Sequence, residues 1–169
     1  PRTGGKGNDC FDKPVSALRG TEKGIAELTS IPKDLRIGTP ATISENYRNA
    51  RQITEYVNRE FSMKMLAVGL NGKQEKVNMI PDLEIAQDDR VAIIVSGAPL
   101  VLNDFLRDHD VVFFDEQREI VRGAYNVISV ANVKGLEFEK AIVVLSGMTP
   151  NEQYVACTRA IQELYVIPS

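Results

Sequence analysis

Two apolar runs, RVAIIV at Arg90 to Val95, apolar after its leading arginine, and AIVVL at Ala141 to Leu145, constrain the fold of this chain more than any other feature. A strand with one wet face alternates apolar and polar residues. A run that is apolar throughout is covered on both faces, which is the usual state of a parallel sheet flanked by helices. Shorter runs of the same kind stand at Val111 to Phe114, Val127 to Val130 and Leu164 to Ile167. Helical spacing separates them at Pro99 to Arg107 and at Asn151 to Ala160, the latter with an Asn/Thr-type start. The expected class is α/β: a mostly parallel sheet with helices on both faces.

The first half is less regular. Ile53, Tyr56, Val57 and Phe61 predict an amphipathic helix over Asn49 to Phe61, capped by Asn46 or Asn49. Thr42-Ile43 reads as a short extended piece; Met65 to Val68 and Val77 to Ile80, joined through an Asn71-Gly72 turn, read as a hairpin. Residues 1–38, with scattered glycines and charges, predict a flexible or peripheral arm holding one short helix near Val15 to Arg19. Residues 39–169 then form one domain.

Composition excludes several functions. A net charge of −3 gives no overall basic field for non-specific nucleic-acid binding, so such binding needs a local patch. Cys10 and Cys157 lie far apart and His109 is the only histidine, so no metal-ligand spacing exists and no metal site is expected. No apolar run approaches the roughly 18 residues of a spanning helix, and the first residues lack a signal-peptide core. The expectation is a reduced cytoplasmic protein without a membrane partner.

Three groups of residues carry chemistry. Arg159 falls near the end of a predicted helix, where a permanently charged planar fork suits a phosphoryl group; for a lone arginine, a surface position is the plainer reading. Arg48 sits in the turn before a helix, another anion-friendly place with the same plain alternative. Glu137 follows Lys134-Gly135-Leu136: Gly135 allows close backbone approach, and the carboxylate can accept from sugar hydroxyls.

The words around these residues fall in a distinctive order. Asn46-Tyr47-Arg48-Asn49, then Ser129-Val130-Ala131-Asn132-Val133-Lys134-Gly135-Leu136-Glu137-Phe138, then Tyr154-Val155-Ala156-Cys157-Thr158-Arg159-Ala160, resemble three successive motifs of the second RecA-like lobe of superfamily 1 helicases of the UvrD/Rep/PcrA type. The resemblance spans about residues 40 to 169. It implies a C-terminal motor lobe of an ATP-dependent DNA helicase or translocase, of the P-loop NTPase type. In it Tyr47 stacks on the adenine, Arg48 reaches the γ-phosphate, Glu137 contacts the ribose with Gly135 beside it in the nucleotide-binding set, and Arg159 is an arginine finger. Tyr47 has a second reading as a residue stapling the helix start to the core. The middle motif also implies a single-stranded DNA track touched by Ser129, Asn132 and Lys134, although Ala131 stands where relatives often carry histidine. Cys157 reads as packing.

Departures from the family are equally informative. Only about eighty residues separate the first and middle motifs, leaving no room for the large accessory subdomain of UvrD-like relatives. The chain lacks Gly-x-x-x-x-Gly-Lys-[Ser/Thr]; Gly4-Gly5-Lys6-Gly7 has neither that spacing nor a preceding strand. Asp115-Glu116 is the nearest imitation of a Mg²⁺-holding acidic pair and reads better as a solvated turn. The resemblance therefore implies half of an ATP·Mg²⁺ site, completed by an N-terminal helicase lobe, with this lobe inactive alone. An arm that opens on Pro1 suits an excised fragment. The alternative is a non-catalytic RecA-like α/β module that binds a protein or nucleotide.

Overall fold

The computed structural model describes residues 44–169, apart from the side chains of Glu116 and Gln117. The predicted arm with its short helix, Gly4-Gly5-Lys6-Gly7, Cys10 and Thr42-Ile43 lie outside the described residues. The elements are β1 (Ser44–Asn46), α1 (Arg51–Glu60), β2 (Met65–Ala67), β3 (Lys73–Lys76), β4 (Arg90–Val95), α2 (Leu100–Phe105), β5 (Val111–Phe113), α3 (Phe114–Gln117), β6 (Ala124–Ser129), β7 (Phe138–Val144), α4 (Pro150–Cys157) and β8 (Ala160–Ile167). A single 3-10 turn, Val130–Asn132, follows β6.

Six strands form one sheet in the order β3-β8-β7-β4-β6-β5, and every pairing in it is parallel. The apolar runs are its middle. Register places Val127, Ile93, Ile142 and Tyr165 in one row, and Ile128, Ile94, Val143 and Val166 in the next. Because successive side chains leave a strand on opposite sides, the two rows face opposite ways and nucleate separate cores. The Ile94 row packs with Ile53, Tyr56 and Val57 of α1 and Ala156 and Cys157 of α4. The Ile93 row packs with Leu102 and Phe105 of α2 and with Ile80. Helices on both faces of a parallel α/β sheet are thus realised, with the continuous strands buried as their composition demands.

The predicted hairpin does not form. Met65–Ala67 pairs parallel with Ser44–Asn46, and the strand after the Asn71-Gly72 bend is the polar Lys73–Lys76, parallel to Glu163–Val166. Val77 to Ile80 is not a strand; Ile80 is instead buried beneath the second face. The reason is positional: β3 is an edge strand, and edges favour charged side chains that an apolar pattern does not flag.

Three boundaries also move. α1 has Ala50 at its N-cap without a side-chain cap, because Asn49 turns to Thr158 and Ala160 and Asn46 accepts from the backbone N–H of Arg48 and Asn49. α4 starts earlier than expected, on a capping box in which Thr149 and Glu152 satisfy each other's backbone N–H, and it stops at Cys157. β8 then begins at Ala160, paired with Phe138, where the sequence Ala160-Ile161-Gln162-Glu163 offers no apolar run to announce a strand.

Partly buried ion pairs pin the amino ends of the central strands. Glu139 accepts from the Arg90 guanidinium at 2.7 Å and from the Arg90 backbone N–H at 2.8 Å. Lys140 donates to Asp89 at 2.9 Å and to the carbonyl of Glu84 at 2.6 Å. Burial pushes the Glu139 carboxyl up, but its bonds to Arg90 outweigh this and hold it below its ordinary 4.5. Asp89 is held below its ordinary 3.8 chiefly by the hydrogen bond from Lys140. A carboxyl depressed in the folded state stabilises fully above its ordinary value, and that stability is lost as pH falls through the depressed one. Urea unfolding should therefore give a flat stability between about pH 7 and 5 and a decline below about pH 4.5. Glu139→Gln should lower stability at neutral pH by about 1–2 kcal/mol and make the acid decline shallower; an unchanged acid limb would show that this pair does not contribute.

Candidate functional site

Glu137 immediately precedes β7 and Arg159 immediately precedes β8, and these two strands are parallel neighbours. Both residues consequently sit at the amino edge of the sheet, not at the carboxyl edge where open α/β sheets commonly hold ligands. The Phe138 backbone N–H donates to the Arg159 carbonyl at 3.0 Å, so the strand pairing itself sets the separation of the two motifs.

Arg48 arrives from the turn after β1. Its Nη1 lies 3.2 Å from Glu137 Oε1, and its Nη2 donates to the Thr158 carbonyl at 3.1 Å. The neighbouring Asn49, only 2% exposed, donates through Nδ2 to the same Thr158 carbonyl at 3.0 Å and to the Ala160 carbonyl at 2.6 Å. The Ala50 backbone N–H adds a bond to the Ile161 carbonyl at 2.7 Å. Residues 48–50 thus run beside residues 158–161 as a polar seam. Three words far apart in sequence meet in one cluster.

The guanidinium of Arg159 is tethered. Its Nε donates to the Val155 carbonyl at 3.1 Å, Nη1 to the Leu136 carbonyl at 3.4 Å and Nη2 to Thr158 Oγ1 at 3.3 Å. It lies folded against the last turn of its own helix, half-buried, instead of reaching out from the sheet edge. Burial lowers its pKa, and the nearby charge of Arg48 lowers it further. Two guanidiniums and one carboxylate leave the cluster with one uncompensated positive charge. The Arg48–Glu137 pair is more than a third exposed on both sides and contributes at most about 1 kcal/mol to stability.

Tyr47 is 69% exposed, with its hydroxyl donating to Glu45, and it is not packed into the core as a staple would be. Together with Arg48, Leu70 and Asn71 it lines a cleft of about 430 Å³. Gly135 has φ +82°, and a Cβ there would meet nothing within 4 Å; the residue serves a left-handed turn, and no backbone approaches it closely. On the far side of Glu137 is a second cleft of about 340 Å³ lined by Arg90, Arg122 and Gly135. Neither arginine belongs to a motif; their signal in the sequence is an arginine at the start of one apolar strand and just before another.

The residues expected along a nucleic-acid track lie elsewhere. Ser129 ends β6, at the carboxyl edge, and its hydroxyl accepts from the Ala131 backbone N–H. Asn132 donates to Asp115 at 2.6 Å. Lys134 is exposed on the segment that returns from that edge to Glu137. The middle motif therefore touches both edges, while its hydroxyl and amide already have protein partners. Cys157 is fully buried and burial pushes its thiol up to about 12, which makes it a packing residue. Among the described residues no group of three His, Cys, Asp or Glu side chains is placed to hold a metal, and no helix is long and apolar enough to cross a membrane.

No protein-family model matches the chain, and no curated protein matches it. Solved structures do. The C-terminal domain of a possible DNA helicase from Lactobacillus plantarum WCFS1 superposes with a TM-score of 0.50 at 18% identity, over 73% of this chain and 87% of that domain. The arterivirus nonstructural protein 10 helicase matches at 0.44 and 18%, over 73% of this chain but 24% of its own length. Nonstructural protein 10, the helicase of PRRSV, matches at 0.42 and 13%, over 74% of this chain and 23% of its own. The first of these establishes that the chain shares the fold of that C-terminal domain, consistent with a RecA-like sheet.

The seam makes Asn49 its most sensitive member. Asn49→Ala should cost about 1–3 kcal/mol in urea unfolding, since the Ala160 carbonyl loses its side-chain donor and the Thr158 carbonyl keeps only Arg48. A loss below about 0.5 kcal/mol would mean that Arg48 and the backbone hold the motifs together without it.

Proposed function

We propose that this chain is the C-terminal motor lobe of a superfamily 1, UvrD/Rep/PcrA-like, ATP-dependent DNA helicase or translocase. The observation that carries the reading is the cluster at the amino edge, in which Arg48, Glu137 and Arg159 come together from three separate motifs through bonds of 3.0–3.4 Å. The helicase-domain fold supports it.

In this reading the lobe forms one wall of a nucleotide site. Tyr47 offers an aromatic face to the adenine, Gly135 and Glu137 face the ribose, and Arg48 and Arg159 supply guanidiniums to the γ-phosphoryl group. The uncompensated positive charge of the cluster is what a phosphate would neutralise. As water attacks the γ-phosphorus and the bond to the β-phosphate oxygen breaks, negative charge spreads over the transferred group, and fixed guanidiniums stabilise it without reorganising. Three of the five Arg159 N–H groups are engaged, and turning the guanidinium toward the phosphate as the lobes close would loosen its bonds to Val155 and Leu136. The Mg²⁺ that accompanies ATP does not fit the described residues: Asp115 is engaged by Asn132, and among them no group of three acidic or metal-ligating side chains gathers. The opposite, N-terminal lobe would hold both metal and phosphate loop. Single-stranded DNA would run along the carboxyl edge past Ser129, Asn132 and Lys134, with Asn132 exchanging Asp115 for a phosphate or base.

In the two-lobed protein, Arg159→Ala should reduce DNA-stimulated ATPase by about 10³–10⁵-fold, while this chain alone should hydrolyse ATP no faster than background. Wild-type turnover in the variant would leave Arg159 a clasp of the α4 terminus and favour a non-catalytic module.

A further inference from the structure

The cleft beside Tyr47 has a wall that none of the three motifs contributes. Leu70 is 89% exposed, more than Tyr47 at 69%, yet its loop is firmly seated. The Leu70 carbonyl accepts from the Arg51 backbone N–H at 2.9 Å, and the Gly72 N–H donates to Gln52 Oε1 at 2.9 Å. Glycines at both ends permit this seating: a Cβ on Gly69 would stand 2.1 Å from the Asn49 carbonyl oxygen, and one on Gly72 would stand 2.2 Å from that of Gln162. A side chain at Gly69 would push the loop off Asn49 and Ala50, and one at Gly72 would push it off Ala50 and β8. Leu70 and Asn71 are therefore held in the same cleft as Tyr47 by backbone that has little freedom to retreat.

The cleft is also polarised along its length. Arg48 stands at the end that joins Glu137 and Arg159. Lys73, which also lines it, is engaged by Glu75 at 3.1 Å and by the Tyr165 ring. What remains free is the Tyr47 ring, the Leu70 side chain and the carboxamides of Asn71 and Gln162, each carrying both donor and acceptor, while the Glu163 carboxylate on the β8 side accepts from Tyr165. A volume of about 430 Å³ falls within the range of small-ligand clefts, which pair apolar walls with a few polar groups.

We propose that the Gly69–Gly72 loop is the base-recognising wall of the nucleotide site, with Leu70 packing on a purine ring that also meets Tyr47 and Asn71 hydrogen-bonding the base edge. The proposal rests on the nucleotide reading given above and adds to it the residues that separate a base from bare phosphate.

The test is a set of NMR titrations of the full 169-residue chain, with ATP, CTP and inorganic triphosphate as probes. Leu70→Ala should weaken ATP binding roughly tenfold and leave triphosphate binding within about twofold, because the lost contact is apolar. Asn71→Ala should narrow the preference for ATP over CTP. Arg48→Ala should weaken both ATP and triphosphate. If Leu70→Ala leaves ATP binding unchanged while Arg48→Ala weakens both probes, the loop is not the base wall and the nucleotide reading stands. If Arg48→Ala weakens neither, both proposals fall. Urea midpoints equal to wild type for the Leu70 and Asn71 variants, expected for such exposed side chains, assign the effects to binding and not to folding.

Discussion

The carbonyl of Thr158 accepts two hydrogen bonds, one from Arg48 and one from Asn49, and the geometry of the amino edge depends on it. That carbonyl is one of those left free when α4 ends, since the helix has no further turn to supply donors. Asn49 is buried, so its amide must find acceptors, and the Thr158 and Ala160 carbonyls are the two within reach. One helix start and one helix end thus satisfy each other. The same bonds bring Arg48 beside Glu137 and Arg159, so an ordinary need for hydrogen-bond satisfaction also assembles the chemistry.

The sheet explains why the site can be small and still well placed. Parallel strands β7 and β8 begin side by side, with Phe138 donating to Arg159, and their inner residues lock the register through the Ile142–Tyr165 and Val143–Val166 rows. Slipping either strand by one residue would send those side chains to the wrong faces. Burial of both sheet faces fixes the register up to an irregularity between Phe138 and Lys140, and beyond it the Phe138–Arg159 backbone bond sets the separation of Glu137 and Arg159. The ion pairs of Arg90 with Glu139 and Lys140 with Asp89 hold the same edge from the β4 side.

The elements legible from sequence were those whose signal is local. RVAIIV and AIVVL declared themselves as doubly covered strands, and Ile53, Tyr56 and Val57 declared α1. Lys73–Lys76 did not, because an edge strand is chosen by its neighbour β8 and by solvent, not by apolar content. Ala160 to Glu163 was read as helix end and loop for a related reason: the pull comes from Phe138, more than twenty positions away. At the site, Arg48, Glu137 and Arg159 were visible as motif members, but their mutual contact was not, since it depends on a seam between residues 48–50 and 158–161. Asn49 was visible only as a helix cap; its chain neighbour Ala50 took that place, and its side chain went where two carbonyls needed a donor.

The electrostatics of the cluster argue for what it lacks. Arg159 is half-buried and lies near Arg48, and both circumstances lower its pKa, so the folded chain holds this guanidinium at some cost. Glu137 offsets part of the repulsion but pairs with Arg48 and not with Arg159. Three of the five N–H donors of Arg159 are occupied by neutral carbonyls and a hydroxyl, which leave its charge unbalanced. An anion at this edge would relieve the repulsion and offer stronger, charge-assisted acceptors than the carbonyls it displaced. In the proposed nucleotide site an anion would give Arg159 a second set of acceptors, stronger than the set the lobe supplies by itself.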